Sequence, residues 1–443
     1  FFNKSFSLDS GNLFTLKGFC GNFIFPSRIC LSMCVLPLFR AINSVSDILG
    51  TNFLTCLKNV LILGSGGREH ALALSFANDI NVAQVFCVPG NGGTEKIAKN
   101  ISVNLKNHQE IIRLVQDEKI DLTVVGPEGP LADGIVDTFN KEGLRIFGPN
   151  AYCSQLESSK LFARNLLSEK QISQPLYYSC SSESEVRDIK DIIGLPLVLK
   201  ADGLAAGKGV IICKKEKEFE NAVKDIFIDG KFGEAASRLS VERCLFGEEL
   251  SVFAVCDGED FIILNTAQDH KRAFEDDLGP NTGGMGAYSP TPLSTSNLLK
   301  KVGSKIIKPT LKAMKDKGNP YTGFLYVGIM LVEDEPYVIE FNVRMGDPET
   351  QVVLPLLKSS IFELLWKATE GKLKDVDVLI SKETAVTVVL SAEGYPEKYQ
   401  KGMVIKGLDK NENHLIYHAG TIRKGHDIIA NGGRVLNVVG FGE

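Results

Sequence analysis

The sequence has no excess of basic residues and no hydrophobic run long enough to cross a membrane. Its 443 residues include 49 Lys and Arg against 54 Asp and Glu, a formal net charge of −5. Nucleic-acid-binding proteins usually carry a basic field, so this balance disfavours a nucleic-acid partner. The longest apolar run, ICLSMCVLPLF between Arg28 and Arg40, is shorter than the roughly 20 residues that a membrane helix needs. We therefore expect no nucleic-acid partner and no membrane partner.

Paired cysteine motifs are also missing. The ten cysteines form no CxxC pair and follow no regular spacing. Neither a disulfide framework nor a structural zinc site is supported by such a distribution. We expect reduced thiols in a reducing compartment, and a cytoplasmic location.

Residues 1–57 differ in composition from the rest of the chain. They hold four of the ten cysteines and only two acidic residues, Asp9 and Asp47. Few acids together with Ser and Arg are typical of an organelle transit peptide. A leader translated from outside the true start fits equally well, with Met33 as an internal start. We treat this segment as an extension whose status stays open between these two interpretations.

From Lys58 onward, strand-like and helix-like segments alternate. The apolar segment NVLILG precedes a glycine turn and a helix, and later apolar segments such as IDLTVV and LRIF end in loops rich in Gly and Pro. This alternation predicts an α/β fold with an open parallel sheet over residues 58–158. Ligands of such sheets bind at the carboxyl ends of the strands.

The first glycine turn, GSGGRE, resembles a dinucleotide-binding fingerprint without matching it. Glu69 stands where the third glycine of GxGxxG belongs, so we do not expect a nicotinamide cofactor. The backbone N–H groups at Gly66 and Gly67 still suit a single phosphate at the start of a helix. A tight strand–helix turn without a ligand is the alternative interpretation.

The segment VLKADGLAAGKGVII, residues 198–212, places Lys200 and Lys208 around residues with almost no side chain. It is not a Walker A loop, because Asp202 replaces the first glycine and Gly209 replaces the Ser or Thr after the lysine. Small residues and lysines predict a flexible flap that closes over an anion such as phosphate. A solvated turn with two surface lysines is the alternative.

The segment YTGFLYVGIMLVEDEPYVIEFNVR predicts a β-hairpin with an acidic turn. Side chains two residues apart on a strand share a face, so Glu340 and Asn342 point the same way. A carboxylate and an amide oxygen on one face can hold Mg²⁺, which takes its other ligands from phosphates and water. An ordinary exposed strand face is the alternative.

The chain divides into further predicted domains after residue 158. Helices mixed with hairpins predict a central α+β domain over 159–382, and short strands with glycine turns predict a small β-rich domain over 383–443. We expect this last domain to be incomplete, because the chain stops just after a strand.

Eight segments, in unbroken order, resemble the glycinamide ribonucleotide synthetases, also called phosphoribosylamine–glycine ligases, of the ATP-grasp superfamily. They are GSGGREHALA, GPEGPLADGIVD, QLESSKLFAR, KADGLAAGKGVII, QDHKR, GPNTGGMGAYSP, FNVRMGDPETQ and HAGT with NGGRVL. The resemblance implies an ATP-grasp fold for the central domain and a ligase of de novo purine biosynthesis. ATP, glycine and 5-phosphoribosylamine would give glycinamide ribonucleotide, ADP and phosphate, through a glycyl phosphate.

The resemblance also implies residue roles in binding ATP. The ATP phosphates would contact Lys160 and Lys200, with Lys208 on the mobile flap. The backbone from Glu242 to Leu245 would read adenine, and Glu249 would hold the ribose. Mg²⁺ or Mn²⁺ would bind Glu340 and Asn342, without the further acid that many ATP-grasp enzymes carry on the preceding strand.

The substrate roles follow from the same resemblance. The 5-phosphate of phosphoribosylamine would bind Gly66 and Gly67. The reacting centre would be faced by Arg272, Arg344, Asp347 and the loop that contains Asn281, Gly283 and Gly284, with Lys208 above it. The sequence HKRAFEDD departs from the usual HKRVGD of this family, so the local loop is expected to differ.

Two alternative functions stay open at the level of sequence. One is another ATP-grasp carboxylate–amine ligase, and the other is a truncated, non-catalytic nucleotide-binding module. Association with other enzymes of the purine pathway is a further expectation. The sequence offers no Ser–His or Cys–His nucleophile, which is no objection to a phosphoryl-transfer ligase, since that chemistry depends on positioning and charge.

Overall fold

The computed structural model describes residues 8–9, 13–18, 21–26, 57–204, 209–233, 237–408 and 414–443. The chain separates into two compact units, Phe1–Leu57 and Lys58–Glu443. In the first unit, Leu13–Gly18 pairs antiparallel with both Leu8–Asp9 and Gly21–Pro26. Met33 and Lys208 lie outside the described residues.

The second unit begins with the predicted open parallel sheet, which is confirmed. Its five strands lie in the order Lys99–Asn100, Val82–Pro89, Lys58–Gly64, Leu122–Val125 and Ile146–Phe147. The central strand is buried on both faces: Leu61 and Leu63 pack into one hydrophobic core, whereas Val60 and Ile62 pack into another. Helices therefore cover both sides of the sheet, as a parallel sheet requires.

Two antiparallel sheets follow. The four-stranded sheet has the order Val210–Cys213, Leu197–Ala201, Leu239–Arg243 and Tyr177–Cys180. The eight-stranded sheet has the order Glu335–Asn342, Thr322–Val332, Glu248–Asp257, Phe261–Phe274, Leu278–Ser289, Thr384–Ser391, Arg434–Gly442 and Leu415–His418. A small sheet has the order Val404–Ile405, Asp427–Ala430 and Thr421–Lys424.

The predicted hairpin is confirmed at the edge of the eight-stranded sheet. Its turn residues Glu333 and Asp334 have φ angles of 48° and 62°. Both central residues of the tight turn that suits the right-handed twist of a hairpin have a positive φ, so the acidic pair meets this geometry without glycine.

The eight-stranded sheet continues into the C-terminal segment. Thr384–Ser391 pairs with Leu278–Ser289 of the central segment and with Arg434–Gly442. The sequence predicted this β-rich content, but it did not predict that the strands extend an existing sheet. The boundary between 382 and 383 stays a prediction, because hydrogen-bonded strands lie on both sides of it.

Helices connect and cover these sheets. The α-helices span Gly67–Ala77, His108–Asp117, Glu128–Ala132, Ile135–Lys141, Ala151–Ser158, Lys160–Glu169, Glu183–Ile193, Glu216–Val223, Ser296–Val302, Lys308–Asp316, Thr350–Val353 and Ile361–Thr369. Short 3₁₀ or π turns span Thr94–Lys96, Lys224–Ile228, Glu275–Asp277, Gly303–Ile307, Leu354–Leu356 and Leu373–Asp375. Among the described residues, no helix has both the length and the apolar character to cross a bilayer.

A buried histidine pair joins the parallel sheet domain to the C-terminal strands. The backbone N–H of His418 donates to Nδ1 of His70 over 2.8 Å, and the ring centroids lie 5.6 Å apart. Gly93 lies against both rings, since a Cβ there would fall 2.3 Å from His70 Cε1. Burial, with His418 as a second cause, lowers the pKa of His70 to about 3.

This pair predicts loss of stability in mild acid. The unfolded chain binds a proton at His70 near its ordinary pKa of about 6.5, whereas the folded chain stays neutral until about 3. The folded state therefore binds fewer protons, and the free energy of unfolding falls by about 1.4 kcal/mol per pH unit for this group as pH drops from about 6 to 4. Urea unfolding over that range should show a shallower pH slope in His70→Gln than in the unsubstituted chain. The exposed His426, changed to Gln, should leave the slope unaltered; an unaltered slope in His70→Gln would contradict the assignment.

Candidate active site

A polar cavity of about 330 Å³ lies where the parallel sheet domain, the four-stranded sheet and the eight-stranded sheet meet. One wall is the loop after Leu197–Ala201, with Gly203, Leu204 and Gly209. The charged residues that line the cavity are Arg68, Glu128, Glu157, Lys160, Asp269, Lys271, Glu340, Arg344, Asp347, Glu349 and Arg434.

Several residues predicted from the sequence meet in this cavity. Those that line it are Lys160, Gly283, Glu340, Asn342, Arg344 and Asp347. They come from segments as far apart in sequence as the helix Lys160–Glu169 and the loop after Glu335–Asn342. Lys208, predicted to lie on the flap, is outside the described residues.

Some predicted residues do not line the cavity, and two of them share a separate groove. Arg272 and Asn281 line a neighbouring groove with Val210, Ile211 and Pro396. The Arg272 guanidinium donates to the carbonyl of Gly279 over 2.7 Å. The structure therefore does not bring Arg272 and Asn281 together with the cavity, and their roles stay predictions.

The predicted metal pair shares one strand face. Asn342 Nδ2 lies 3.4 Å from Glu340 Oε1, and both side chains reach the cavity. Burial opposes the charge on Glu340, but Lys271, Lys160 and Lys200 outweigh it and lower its pKa to about 2. The carboxylate is thus ionised at neutral pH and able to bind a cation.

The donor set suits a cation that brings further ligands with it. Among the described residues, no group of three or more His, Cys, Asp and Glu could hold a metal ion. Glu340 and Asn342 supply oxygens from one side only, and the other side opens into the cavity. Mg²⁺ is commonly bound in this way, through one or two protein oxygens plus phosphates and water.

The cavity contains a second group of charged residues, Asp269, Lys271 and Glu349, that was not predicted from the sequence. Lys271 Nζ lies 2.5 Å from Glu249 Oε1 and 3.7 Å from Asp269 Oδ1. Burial, together with the charge of Asp269, raises the pKa of Glu349 to about 7. Asp269 and Lys271 belong to QDHKR and Glu349 to GDPETQ, so the motifs contained these residues but gave no sign that they meet. Glu249, predicted to hold a ribose, is paired with Lys271 here.

Arg344 is held between two carboxylates that the sequence analysis also missed. It donates to Glu157 Oε1 over 2.7 Å and to Glu128 Oε2 over 3.3 Å. Burial disfavours its charge, but Glu157 and Glu128 hold its pKa above the ordinary value. Glu157 lies in LESSK, three residues before the predicted Lys160, and it also accepts the backbone N–H of Val343 over 2.7 Å.

The glycine turn at the start of the helix Gly67–Ala77 is already occupied by carboxylates. The N–H of Gly66 donates to Glu69 Oε2 over 2.5 Å, and the N–H of Arg68 lies 3.3 Å from Asp347 Oδ2. Gly67 is closely packed, since a Cβ there would fall 2.4 Å from Gln351 Nε2. An anion at this turn would have to displace carboxylates, so the phosphate role of Gly66 and Gly67 stays a prediction.

Asp347 and the loop at Gly283 and Gly284 are tied together by Arg434. Its guanidinium donates to the carbonyls of Gly283 and Asp347, each over 2.5 Å. Gly284 has a φ of 106°, and a Cβ there would fall 2.5 Å from Pro348 Cδ. This loop accordingly requires glycine for both conformation and space.

The segment from Glu242 to Leu245, predicted to read adenine, lies where the chain passes from one antiparallel sheet to the other. The strand Leu239–Arg243 belongs to the four-stranded sheet, whereas Glu248–Asp257 belongs to the eight-stranded sheet, so Leu245 lies in the link between them. The side chain of Glu242 is buried and faces Lys200, with Nζ 3.0 Å from Oε2. Whether this link reads adenine stays a prediction.

Three family models match the chain, in order, between residues 58 and 443, leaving residues 351–384 uncovered. They are described as phosphoribosylglycinamide synthetase N domain over residues 58–157, ATP-grasp (A) domain over 158–350 and C domain over 385–443. Together they cover the larger part of the chain.

Individual proteins and solved structures give the same likeness. The chain is 46% identical over 388 residues to phosphoribosylamine–glycine ligase of Neisseria meningitidis, a match that covers 87% of this chain and 92% of that protein. The same enzyme of Vibrio vulnificus is 45% identical over 389 residues, covering 87% and 91%. The crystal structure of phosphoribosylamine–glycine ligase from Thermotoga maritima matches with a TM-score of 0.75 and 34% identity, covering 87% and 93%.

Proposed function

The chain belongs to the phosphoribosylglycinamide synthetase family, and we propose that it joins glycine to 5-phosphoribosylamine at the expense of ATP. The products are glycinamide ribonucleotide, ADP and phosphate. The observation that carries this proposal is the meeting, in one cavity, of the Glu340–Asn342 pair with Lys160, Lys271 and Arg344.

ATP binds between the two antiparallel sheets. The loop with Gly203, Leu204 and Gly209 covers its phosphates, and the small residues of this loop allow the backbone to come close. Lys160 and Lys200 neutralise phosphate charge, with Lys208 added by the flap. Closure of the flap excludes water and keeps the activated carboxylate from hydrolysis.

Glu340 and Asn342 would hold Mg²⁺ or Mn²⁺, and the ion supplies positive charge to the phosphoryl group in transfer. Glu340 offers an ionised carboxylate, and Asn342 offers a neutral oxygen beside it. The nearby lysines keep Glu340 charged before any cation arrives. This wall of the cavity is therefore ready for a nucleotide that brings a divalent cation.

Glycine reacts first. Its carboxylate oxygen attacks the γ-phosphorus, and ADP leaves with the electron pair of the broken P–O bond. Arg344 holds the carboxylate or the developing phosphate, and Glu157 and Glu128 fix the direction of its guanidinium. The chain acts here through orientation and charge, without a covalent intermediate on the protein.

Phosphoribosylamine reacts second. Its amine attacks the carbonyl carbon of glycyl phosphate, the C–N bond forms, and phosphate leaves with the electrons of the C–O bond while the amine loses a proton. The substrate lies on the side of the cavity bounded by Arg68, Asp347 and Gly283. Arg434 holds Asp347 and Gly283 next to each other there, because it donates to the carbonyls of both.

Phosphate release in the presence of ATP tests the proposed function. We expect release to require both glycine and freshly generated phosphoribosylamine, since the first activates and the second completes the reaction. Omission of either should reduce the rate to background. Equal release with bicarbonate in place of glycine would contradict the proposal and favour another ATP-grasp ligase.

Glu340→Gln tests the metal pair. The substitution keeps the size of the side chain but removes its charge, and metal charge stabilisation of this kind is worth several kcal/mol, so turnover should fall at least about 100-fold at moderate Mg²⁺. The Mg²⁺ concentration for half-maximal rate should rise. Glu335→Gln is the matched control, because Glu335 lies on the same strand but pairs with Lys301 and Lys305 at the surface. Normal turnover of Glu340→Gln at low Mg²⁺ would place the cation elsewhere.

A further inference from the structure

Behind the cavity wall lies a buried group of charges, which we call the Arg164 cluster: Arg164, Glu242 and Lys200. Their exposed fractions are 3%, 1% and 7%. Arg164 donates to Glu242 through Nε over 2.8 Å and through Nη2 over 2.7 Å. Lys200 Nζ lies 3.0 Å from the same carboxylate. Two buried cations thus share one carboxylate.

The two cations also share a backbone acceptor. Lys200 Nζ donates to the carbonyl of Ile339 over 2.8 Å, and Arg164 Nη2 donates to it over 2.7 Å. Arg164 Nη1 donates to the carbonyl of Val338 over 2.9 Å. The guanidinium therefore donates to two successive carbonyls of the strand Glu335–Asn342, which carries Glu340.

Ile339 is the extra residue of a β-bulge. In the hairpin, Gly328 lies opposite Glu340 and the next residue, Ile329, lies opposite Val338, so Ile339 has no partner. A bulge leaves a residue outside the ladder and changes the direction of the side chains beyond it. The Arg164 cluster binds the carbonyl of this unpaired residue and that of Val338 before it.

The bulge decides which way Glu340 points. Val338 and Ile329 both lie in the hydrophobic core, whereas Glu340 faces the cavity. In a regular strand Val338 and Glu340 would share one face. Gly328 provides the space, since a Cβ there would fall 2.9 Å from Glu340 Cγ. The alternation of side chains along a strand explains why Glu340 and Asn342 share a face. The bulge explains why that face is directed to the cavity and not to the core.

We propose that Arg164 is a positioning residue for nucleotide binding: it fixes the bulge at Ile339 and thereby holds Glu340 and Lys200 in place for a nucleoside triphosphate with its divalent cation. A guanidinium suits this task, because its planar array of N–H groups donates to Glu242 and to two carbonyls at once. This proposal rests on the proposed ATP-dependent function. It adds a residue that touches neither ATP nor the cation.

Binding of a non-hydrolysable ATP analogue tests the proposal directly. Calorimetric titration at several Mg²⁺ concentrations should show a dissociation constant at least about tenfold higher for Arg164→Met than for the unsubstituted chain. Arg164→Lys keeps the charge but loses the planar fork, so its dissociation constant should lie between those of Arg164→Met and the unsubstituted chain. Arg187→Met is the control, because Arg187 pairs with Glu183 and Glu220 at the surface, and it should bind normally.

Steady-state kinetics separates positioning from a general loss of stability. In Arg164→Met the KM for ATP and the Mg²⁺ requirement should rise, while the KM for glycine stays within about twofold. A folded Arg164→Met with unchanged analogue affinity would overturn the proposal, as would equal rises in both KM values. Arg164→Gln serves if the methionine variant does not fold. The proposal would also be overturned if Arg164→Met and Arg164→Gln both failed to fold while Arg164→Lys folded and bound the analogue with unchanged affinity. Arg164 would then contribute to stability alone.

Failure of this proposal is distinguishable from failure of the proposed function. The titration uses only nucleotide and Mg²⁺, so it does not depend on which carboxylate or amine is joined. If release of phosphate does not require glycine and phosphoribosylamine but the affinity order still holds, the substrate assignment is wrong and the positioning role stands.

Discussion

One half-buried carboxylate, that of Glu340, is kept ionised by lysines that reach it from three different elements, and the active site depends on this arrangement. Lys160 begins a helix, Lys200 lies on the four-stranded sheet and Lys271 lies on the eight-stranded sheet. Burial alone would raise the pKa of Glu340, so the charge persists only while the sheets stay together. The lysines that keep Glu340 ionised can also bind the phosphate groups of a nucleotide. The fold thus brings together one negative group that can hold a cation and several positive groups that can hold phosphates.

The sequence was sufficient for those parts of the structure that depend on local pattern. The parallel sheet followed from alternating strands and helices, and the hairpin followed from two apolar strands around an acidic turn. The sharing of a face by Glu340 and Asn342 followed from the two-residue period of a strand. Each of these depends on residues close together in the chain, so one sequence carries the information.

What the sequence could not predict depends on contacts between distant segments. The bulge at Ile339 is bound by Arg164 and Lys200, which lie 175 and 139 residues away. The sequence indicated an anion site at the turn of Gly66, but the N–H groups of Gly66 and Arg68 already donate to the carboxylates of Glu69 and Asp347. Arg272 shared a motif with Lys271, yet successive side chains on a strand point to opposite faces, and the two residues line different pockets. Adjacent motif residues therefore need not share a site.

The central claim is that this cavity activates a carboxylate by phosphoryl transfer and that the protein acts through position and charge. The most direct measurement follows oxygen. Glycine labelled with ¹⁸O in both carboxyl oxygens should transfer one labelled oxygen to each phosphate released, because the C–O bond of glycyl phosphate breaks when the amine attacks. Mass spectrometry of the phosphate reads the label. Phosphate free of ¹⁸O, formed at the same rate as glycinamide ribonucleotide, would contradict the account.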